Sequence, residues 1–328
     1  MIRFFRGTGI GQVLVMTLMA AALWVEYFIV PPQVIHPSGG EVMPLWNLIL
    51  DSLSGLPLLA VIISFVLLVI MVIVMIRFNT SVFFIPRRTY FPALLYIMFY
   101  SAFPGGMILN PALPAALLIM VGLWRMVSAY RVNGMVFNFF DAALLISSAG
   151  MFYAGSIWIV LLVLIGLLVL RSPDFREFSL TLAGALLPWI MLYAIWYLTG
   201  GSLSDLTEII RHNLFDKMPP VNWSRTLVIL LVVIAVNFLP GLLSLISEMP
   251  TQKIKSRKTF ELLLWMLVIC AAAYAFVPSV SIELNAITAI AVSFIMASYC
   301  AFTRRIIMTE ILFWLMVIII AVTRIWPQ

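Results

Sequence analysis

The feature that most constrains this chain is a succession of long apolar runs, separated by short loops that carry basic residues. The stretch from Asn110 to Arg171 shows the pattern three times: one run ends near Arg125, a short one spans 138–153, and a third spans 155–170. Apolar runs with basic residues at alternate ends are typical of a chain that crosses a bilayer repeatedly. Because the apolar positions are continuous and do not alternate with polar ones, the pattern predicts helices and excludes a membrane barrel.

The composition excludes an ordinary soluble domain. Of the 328 residues, 64% are hydrophobic and 10% are charged, and the mean hydropathy is +1.15; soluble domains are nearer half apolar and a quarter charged. The net charge of +6 does not indicate a nucleic-acid partner, because the basic residues lie in short loops and report membrane topology. We expect a single all-α polytopic membrane domain over residues 1–328 that contacts membrane lipids and no nucleic acid.

The apolar runs predict a bundle of about eleven transmembrane helices, with about ten to twelve as the range, some of them short and paired. The third and fifth runs are shorter than the roughly 20 residues that a full crossing requires. We therefore expect the fifth helix to be shielded by protein or to lie beside a thinned, wet region. The predicted spans lie at about 11–30, 56–76, 90–104, 112–129, 138–153, 155–170, 178–198, 226–247, 260–277, 285–302 and 307–324.

The distribution of Lys and Arg predicts the orientation of the chain. With the N-terminus in the cytoplasm, most of the 19 basic residues fall on the inner side, as the positive-inside rule requires. We expect a bacterial inner-membrane protein with a cytoplasmic N-terminus and a periplasmic C-terminus. The inner basic residues are Arg3, Arg6, Arg77, Arg87, Arg88, Arg125, Arg131, Arg171, Arg176, Lys253, Lys255, Arg257, Lys258, Arg304 and Arg305, and the outer ones are Arg211, Lys217, Arg225 and Arg324.

The sequence offers no pattern for a metal site or a cofactor. Cys270 and Cys300 fall inside predicted spans without a CxxC or Cys/His spacing, so we expect small buried apolar side chains, with no disulfide or metal. His36 and His212 both lie outside the spans, so no buried His pair is available for haem. Nucleotide-binding motifs and zinc-protease motifs are also absent from the sequence.

Two carboxylates near the outer ends of predicted helices are candidates for catalysis. Glu26 closes the first span, and Asp51 lies in a short segment, 45–53, that is predicted to lie in the outer interface. Ionisable groups that border the hydrocarbon are costly and often functional, so the two carboxylates are predicted to flank one external cavity and to supply a base. The alternative is that both simply reach water among the lipid headgroups.

A polar outer segment, about 203–217, supplies candidates for substrate binding. Its spacings of three and four place polar and apolar residues on opposed helical faces, which predicts an amphipathic helix lying over the outer mouth of the bundle. Arg211, His212 and Lys217 are predicted to bind a phosphate or pyrophosphate through charge-assisted hydrogen bonds. The alternative is a solvated capping helix.

Other polar residues border or interrupt the spans. Asp141 and Arg125 are predicted to form an ion pair across neighbouring antiparallel helices, with contact to a lipid headgroup in an inner cavity as the alternative. Asn237 and Pro240 are positioned to break the eighth predicted helix at membrane depth, as binding sites of transporters sometimes do.

Several motifs resemble a family of uncharacterised multi-pass inner-membrane proteins of Bacteroidota. The resemblance covers most of the chain and is clearest over about 80–200, but it implies no established activity. The motifs are Arg87-Arg88-Thr89-Tyr90-Phe91-Pro92-Ala93-Leu94-Leu95, Asn110-Pro111, Asn138-Phe139-Phe140-Asp141-Ala142, Phe152-Tyr153, Leu170-Arg171 and Phe175-Arg176-Glu177.

A looser similarity links the chain to GT-C-type glycosyltransferases, which use polyprenyl-phosphate-linked sugars. That class has a cytoplasmic N-terminus, many spans and an acidic residue in the first outer loop region, a position that would fall here to Glu26, Glu41 or Asp51. The first outer loop lacks the paired acidic motif, and no soluble C-terminal domain is present in the sequence, so the resemblance implies the membrane arrangement more than the catalytic reaction.

Three functions follow from these patterns. The first is an inner-membrane protein of envelope biogenesis that handles or transfers a polyprenyl-phosphate-linked sugar at the periplasmic face, which requires Glu26, Asp51, Arg211 and His212 to converge on one cavity. The second is a non-enzymatic scaffold or assembly subunit with a membrane-protein partner, which requires no convergence. The third is a secondary transporter, which requires a midplane polar site and internal symmetry, and the sequence shows no such symmetry.

Overall fold

A computed structural model describes residues 2–5, 7, 9–32, 42–53, 55–82, 85, 89–103, 109–130, 137–171, 174–216, 224–303 and 306–325. Over these ranges the chain is helical and contains no strand, which confirms an all-α architecture. The helices are α1 Ile2–Phe5, α2 Ile10–Ile29, α3 Pro44–Leu53, α4 Pro57–Val82, α5 Phe91–Ala102, α6 Ala112–Ser128, α7 Phe137–Ala149, α8 Val160–Leu170, α9 Phe175–Leu198, α10 Leu203–Phe215, α11 Arg225–Glu248, α12 Ile254–Phe276, α13 Asn285–Phe302 and α14 Ile306–Ile325. Short 3-10 helices at Ala154–Ile159, Met249–Thr251 and Ile282–Leu284 adjoin α8, α11 and α13.

Each predicted span coincides with an apolar helix. Among the described residues, six helices are long and apolar enough to cross a membrane, namely α2, α4, α9, α11, α12 and α13. The other apolar helices, α5 to α8, are shorter, and so is the apolar segment Thr309–Thr323 within α14. The helices therefore support a polytopic membrane protein, and six of the predicted spans have the length of a full crossing.

The short helix α5 forms the centre of the bundle. Every one of its residues, Phe91 to Ala102, is buried, and it packs against α4 and α13. Tyr96 Oη donates a hydrogen bond to the carbonyl oxygen of Ala286 at 3.1 Å, which fixes α5 against the start of α13. A helix that is apolar on all sides can be covered by lipid or by protein, and here protein covers it.

Neighbouring helices also shield α7, as its short length predicts. This helix packs along both α6 and α9, and two glycines permit the close approach. A Cβ atom added to Gly122 on α6 would lie 2.6 Å from Ile146 Cγ1, and one added to Gly184 on α9 would lie 2.5 Å from the carbonyl oxygen of Phe140. Small residues at such contacts let membrane helices approach closely and gain dispersion energy.

Helix ends meet at two opposite faces of the bundle, where hydrogen bonds join them. At one face, Thr89 Oγ1 donates to the carbonyl oxygen of Phe5 at 3.0 Å. Arg171 Nη2 donates to the carbonyl oxygen of Ala129 at 3.2 Å and also pairs with Glu177. We call this the basic face, because α6 and α8 end there and α9 begins there, beside Arg125, Arg171 and Arg176.

The opposite face carries the starts of α4, α6, α8, α11 and α13, and we call it the site face. Ala60, Leu109 and Ala154, which mark the starts of α4, α6 and the segment leading into α8, belong to one apolar cluster there. Ser279 Oγ donates to the carbonyl oxygen of Leu214 at 2.6 Å, which ties the end of α10 to the loop between α12 and α13. Loops that are distant in sequence therefore meet at the site face.

The two predicted interfacial segments are both helices that cover the site face. Trp46, Leu50 and Leu53 of α3 are buried, and Ile210 and Leu214 of α10 pack against the same apolar cluster. The amphipathic pattern explains this placement, because a helix with one apolar stripe gains free energy by burying that stripe and leaving the polar face outside.

Helix α11 runs without interruption from Arg225 to Glu248, so the predicted break at Asn237 and Pro240 is wrong. Asn237 Nδ2 donates to the carbonyl oxygen of Val233 at 2.8 Å, one helical turn back. The amide therefore satisfies its own helix, and Pro240 is accommodated as prolines often are in membrane helices.

Candidate functional site

A cavity of about 480 Å³ lies at the site face, between α11 and α12 and against α13. Both α11 and α12 pack on α13, and the gap between them forms the cavity. Its walls are mostly aliphatic and aromatic, and its polar side chains come from α12, from the start of α13 and from the loop between them. The lining residues are Phe99, Phe103, Leu231, Ile234, Tyr274, Val280, Ser281, Ile282, Asn285, Thr288, Ala289 and Val292.

Helical spacing explains why these residues share one space. The four lining residues of α13, Asn285, Thr288, Ala289 and Val292, are separated by three, one and three positions, which places them on one helical face. The same spacing rule applies to Leu231 with Ile234 on α11. The polar residues begin this face and the apolar residues continue it, so the cavity has a polar end and an apolar wall.

The polar end presents hydrogen-bond acceptors, because nearby backbone carbonyls engage a proton of Thr288 and one of the two amide protons of Asn285. Thr288 Oγ1 donates to the carbonyl oxygen of Leu284 at 3.1 Å. Asn285 Nδ2 donates to the carbonyl oxygen of Phe99 at 3.3 Å, at the end of α5. A hydroxyl oxygen that donates its proton keeps two lone pairs, and an amide keeps its carbonyl oxygen.

Behind the cavity lies a polar cluster that joins two loops. Tyr153 Oη lies 3.4 Å from Ser281 Oγ and accepts a hydrogen bond from the Ser281 amide at 3.3 Å. Burial raises the pKa of Tyr153 above its ordinary value, the hydrogen bond with Ser281 partly opposes this, and the nearby charge of Glu283 raises the pKa by a lesser amount. Tyr153 is therefore a neutral phenol that positions Ser281 at the cavity wall.

Glu283 is the carboxylate closest in sequence to the lining residues. It lies in the 3-10 helix Ile282–Leu284, directly between the lining residues Ile282 and Asn285, and it is partly buried. Burial raises the pKa of the Glu283 carboxyl above its ordinary value, and the neighbouring Ser281 hydroxyl opposes this to a lesser extent. Within the described part of the chain, no basic side chain pairs with Glu283. A carboxylate without a cationic partner at the edge of the hydrocarbon is a functional candidate, because its burial is costly.

A buried phenol extends this cluster toward the core. Tyr100 Oη is buried and has no hydrogen-bond partner among the described residues, while its ring stacks on that of Tyr96 at a centroid distance of 6.0 Å. Tyr100 directly follows Phe99, which lines the cavity, on α5. An unmade hydrogen bond of this kind costs about 1–3 kcal/mol, so the cluster includes a polar atom that the fold alone does not satisfy.

The structure does not bring the predicted catalytic carboxylates together. Glu26 is exposed near the end of α2, which packs on α4 and α5. Asp51 is exposed on α3, where it accepts a hydrogen bond from Asn47 Nδ2 at 3.3 Å. No hydrogen bond or ion pair joins Glu26 to Asp51 or to Arg211 across the described residues.

The predicted phosphate-binding residues lie on the exposed face of α10. Leu206 and Ile209 are buried, which confirms the predicted apolar stripe, whereas Arg211 and His212 are exposed. His212 Nε2 lies 3.5 Å from Asp216 Oδ2, so a carboxylate of the same helix end faces it. Lys217 lies outside the described residues. The described part of α10 thus matches the capping helix that was the alternative prediction.

The predicted ion pair between Asp141 and Arg125 is wrong. Arg125 is exposed on α6 and Asp141 is half-buried on α7, and no ion pair joins them although α6 and α7 pack closely. The two helices meet instead through Gly122 and Ile146. Among the described residues, the ion pair that ties helix ends together at the basic face joins Arg171 to Glu177.

Sequence reasoning missed the residues that form the actual cavity. Glu283 is a single carboxylate in a short loop, and such a residue is usually exposed to solvent and has no further role. From the sequence, Tyr153 was singled out only as part of the motif Phe152-Tyr153, which resembles a family of membrane proteins. The available signal was weak: Ser279, Ser281 and Glu283 form a polar interval between two apolar runs, on the same predicted side as the start of α11.

The cysteines and the acidic residues do not form a metal site in the described chain. Cys270 and Cys300 are both buried and free. Among the described residues, no group of three or more His, Cys, Asp or Glu side chains lies within reach of one ion. The site consequently offers hydrogen bonds and a carboxylate as its chemistry.

The chain belongs to the family of unknown function DUF6427, which it matches over residues 47–325. The matched region includes α4 to α13, and so contains the entire cavity and the polar cluster behind it. No curated protein and no solved structure matches the chain.

Proposed function

We propose that this member of the DUF6427 family binds a lipid-linked substrate in the cavity between α11 and α12. The observation that supports the proposal is the division of one cavity into an apolar wall and a polar end, with Glu283 beside the polar end. Ligand sites are typically apolar hollows with a few placed polar groups. An amphipathic molecule with a hydrocarbon chain and a polar head matches that division.

The location of the cavity suits a ligand that arrives from the bilayer. Its walls include Leu231 and Ile234 of α11 and Tyr274 of α12, two helices with the length of full crossings. Tyr274 is 43% exposed, so the rim of the cavity on α12 faces outward from the bundle. In a membrane this rim would face lipid, and a chain could enter sideways without leaving the hydrocarbon.

The distribution of charge gives the proposed orientation. The basic face is cytoplasmic and the site face periplasmic, because Lys and Arg accumulate on the cytoplasmic side of inner-membrane proteins. The N-terminus is then cytoplasmic and the C-terminus periplasmic. All eleven apolar helices take part in the membrane bundle in this arrangement, with α3 and α10 in the periplasmic interface.

A lipid-linked substrate at the periplasmic face implies a role in envelope biogenesis. The enzymatic form of the proposal is transfer of a sugar from polyprenyl phosphate to a hydroxyl of an acceptor. The hydroxyl oxygen bonds to the anomeric carbon while Glu283 accepts its proton, and the bond from that carbon to the phosphate oxygen breaks, so that polyprenyl phosphate leaves. The geometry favours Glu283 over Glu26 and Asp51 for this role. Glu283 is partly buried beside a cavity, whereas the other two carboxylates are exposed on separate helices.

Photo-crosslinking from the cavity wall tests whether a lipid binds there. A benzoylphenylalanine side chain at Ile234, which lines the cavity, is compared with one at Val236, which is 48% exposed on another face of α11. After illumination in native membranes, the lipid adducts on the purified protein are identified by mass spectrometry. The proposal predicts enrichment of one lipid class at position 234 and a mixture resembling bulk lipid at position 236.

Two outcomes would contradict the proposal. If position 234 captures the same mixture as position 236, the cavity is only part of the lipid-facing surface. If position 234 captures no lipid while position 236 does, the cavity is closed to lipid. Either result would favour a scaffold that acts through its exposed apolar surfaces.

A further inference from the structure

We infer that the group held at the polar end of the cavity is a hydrogen-bond donor, a hydroxyl or an ammonium group, and not a phosphate. This inference rests on the proposed function and specifies the chemistry of its ligand. It concerns the polar end formed by Ser281, Asn285 and Thr288, with Glu283 beside it.

The first argument is the inventory of hydrogen bonds at the polar end. The Thr288 hydroxyl proton is engaged by the carbonyl oxygen of Leu284, and an Asn285 amide proton is engaged by the carbonyl oxygen of Phe99. The Thr288 hydroxyl oxygen and the Asn285 amide oxygen are therefore left to face a ligand as acceptors, beside two donors, the second amide proton of Asn285 and the phenol of Tyr274. A ligand group with O–H or N–H bonds can pair with the two acceptors, whereas a phosphate, which has no proton to give them, leaves both unpaired.

The second argument is electrostatic. None of the lining residues that the structure describes carries a positive charge, and no described basic side chain pairs with Glu283. Phosphate sites in proteins supply Arg, Lys or several backbone N–H groups. A phosphate placed at this polar end would meet a carboxylate without a compensating cation in a low-dielectric setting, where like charges repel strongly.

The third argument is the fixed geometry of the acceptors. Asn285 is held by the end of α5, and Ser281 is held by Tyr153 from a loop 128 residues away in sequence. Side chains restrained in this way lose little entropy when a ligand binds. Fixed acceptors of this kind suit the hydroxyls of a sugar head group.

The experiment compares single-chain lipid probes that differ only in the head group. Each probe carries the same hydrocarbon chain with a diazirine, and ends in a glycerol diol, a primary amine, a phosphate monoester or a methyl ether. Labelling of the purified protein in detergent is quantified by mass spectrometry of the peptides from α11 and α13. We expect the diol or the amine to label the cavity at least about tenfold more than the phosphate and the methyl ether, and the ratio of diol to amine identifies the donor group.

A matched pair of variants assigns the preference to the polar end. Thr288→Val keeps the shape of the side chain and removes the hydroxyl oxygen at the cavity. Thr181→Val removes a buried hydroxyl that also donates within its own helix, to the carbonyl oxygen of Glu177 at 2.8 Å, on α9 and away from the cavity lining. We expect Thr288→Val to reduce the preference for donor head groups at least threefold and Thr181→Val to leave it unchanged.

Failure of this inference is distinguishable from failure of the proposed function. If all four probes label the cavity equally, or the phosphate probe labels it best, the cavity binds lipid but the inferred head-group chemistry is wrong. If Thr288→Val leaves the labelling preference for donor head groups unchanged, the polar end does not select the head group. If no probe labels the α11 and α13 peptides, the proposed lipid site itself is wrong.

Discussion

Replacement of Gly184 by alanine tests the close contact between α7 and α9. The added Cβ atom would lie 2.5 Å from the carbonyl oxygen and 3.1 Å from the Cα atom of Phe140, whereas ordinary contacts begin at 3.4 Å. Both obstructing atoms belong to the backbone, so no side-chain rotation relieves them. The helices must separate by about 0.9 Å, the difference between 3.4 and 2.5 Å. Overpacking of this kind typically costs about 1–3 kcal/mol.

The expected net effect includes the intrinsic preference of helices for alanine. Glycine is less favourable than alanine by about 1 kcal/mol in a helix interior, so Gly184→Ala should lower the free energy of unfolding by about 0–2 kcal/mol. The upper part of that range is expected, because the obstructing atoms at 2.5 and 3.1 Å belong to the backbone. The matched control is Gly241→Ala on α11, where the nearest atom to the added Cβ lies at 3.6 Å. That variant should be neutral or slightly more stable.

Unfolding of the purified protein in mixed micelles, followed by tryptophan fluorescence, measures both variants against the wild type. The reasoning predicts that only Gly184→Ala shifts the midpoint to lower denaturant, because only there does the methyl group meet backbone. Equal stability of the two variants would show that α7 and α9 do not approach as closely as the fold requires.

Two further predictions concern contacts that fix the helix ends. Arg171→Gln removes the partly buried ion pair with Glu177 and a hydrogen bond to the carbonyl oxygen of Ala129. We therefore expect its thermal unfolding midpoint to lie several degrees below that of the control Arg176→Gln, which changes an exposed position. Equal midpoints would contradict a stabilising role for this ion pair. Tyr96→Phe removes one buried hydrogen bond, to the carbonyl oxygen of Ala286, and should cost about 1 kcal/mol of unfolding free energy; an unchanged stability in mixed micelles would show that water or another group replaces the bond.

The sequence predicts the helices well, because hydrophobic runs with basic ends follow directly from the bilayer. The apolar face of α10 was also predictable, since Leu206 and Ile209 recur at the helical period and are buried. The central position of α5 was not predictable. Its twelve residues are apolar on every side, and periodicity cannot tell a helix that faces lipid from one that is enclosed by other helices.

The candidate site depends on tertiary contacts that no local pattern encodes. Tyr153 and Ser281 are 128 residues apart, and each alone resembles an ordinary loop residue. The reverse error occurred for Arg125 and Asp141, whose helices do pack together. Helix adjacency was a sound expectation there, but the rotation of each helix about its own axis decides which side chains meet, and Gly122 and Ile146 occupy the contact.

The predicted outer carboxylates and basic residues also do not meet in one cavity, because the rotation of each helix about its axis decides where its side chains point. Exposed charged residues on amphipathic helices turn away from the bundle when the apolar stripe is buried, as Asp51 on α3 and Arg211 on α10 do. The polar groups that converge are instead those close to an apolar cavity, and Glu283 is the charged member among them.

The most direct test of the central claim is a structure determined by electron cryomicroscopy after reconstitution in nanodiscs of native lipid. The account predicts an elongated density between α11 and α12, with its chain against Leu231 and Ile234 and its head within hydrogen-bonding distance of Ser281 or Thr288. A cavity that is empty in native lipid, or one that closes so that Leu231 packs directly on α13, would contradict a lipid-binding site.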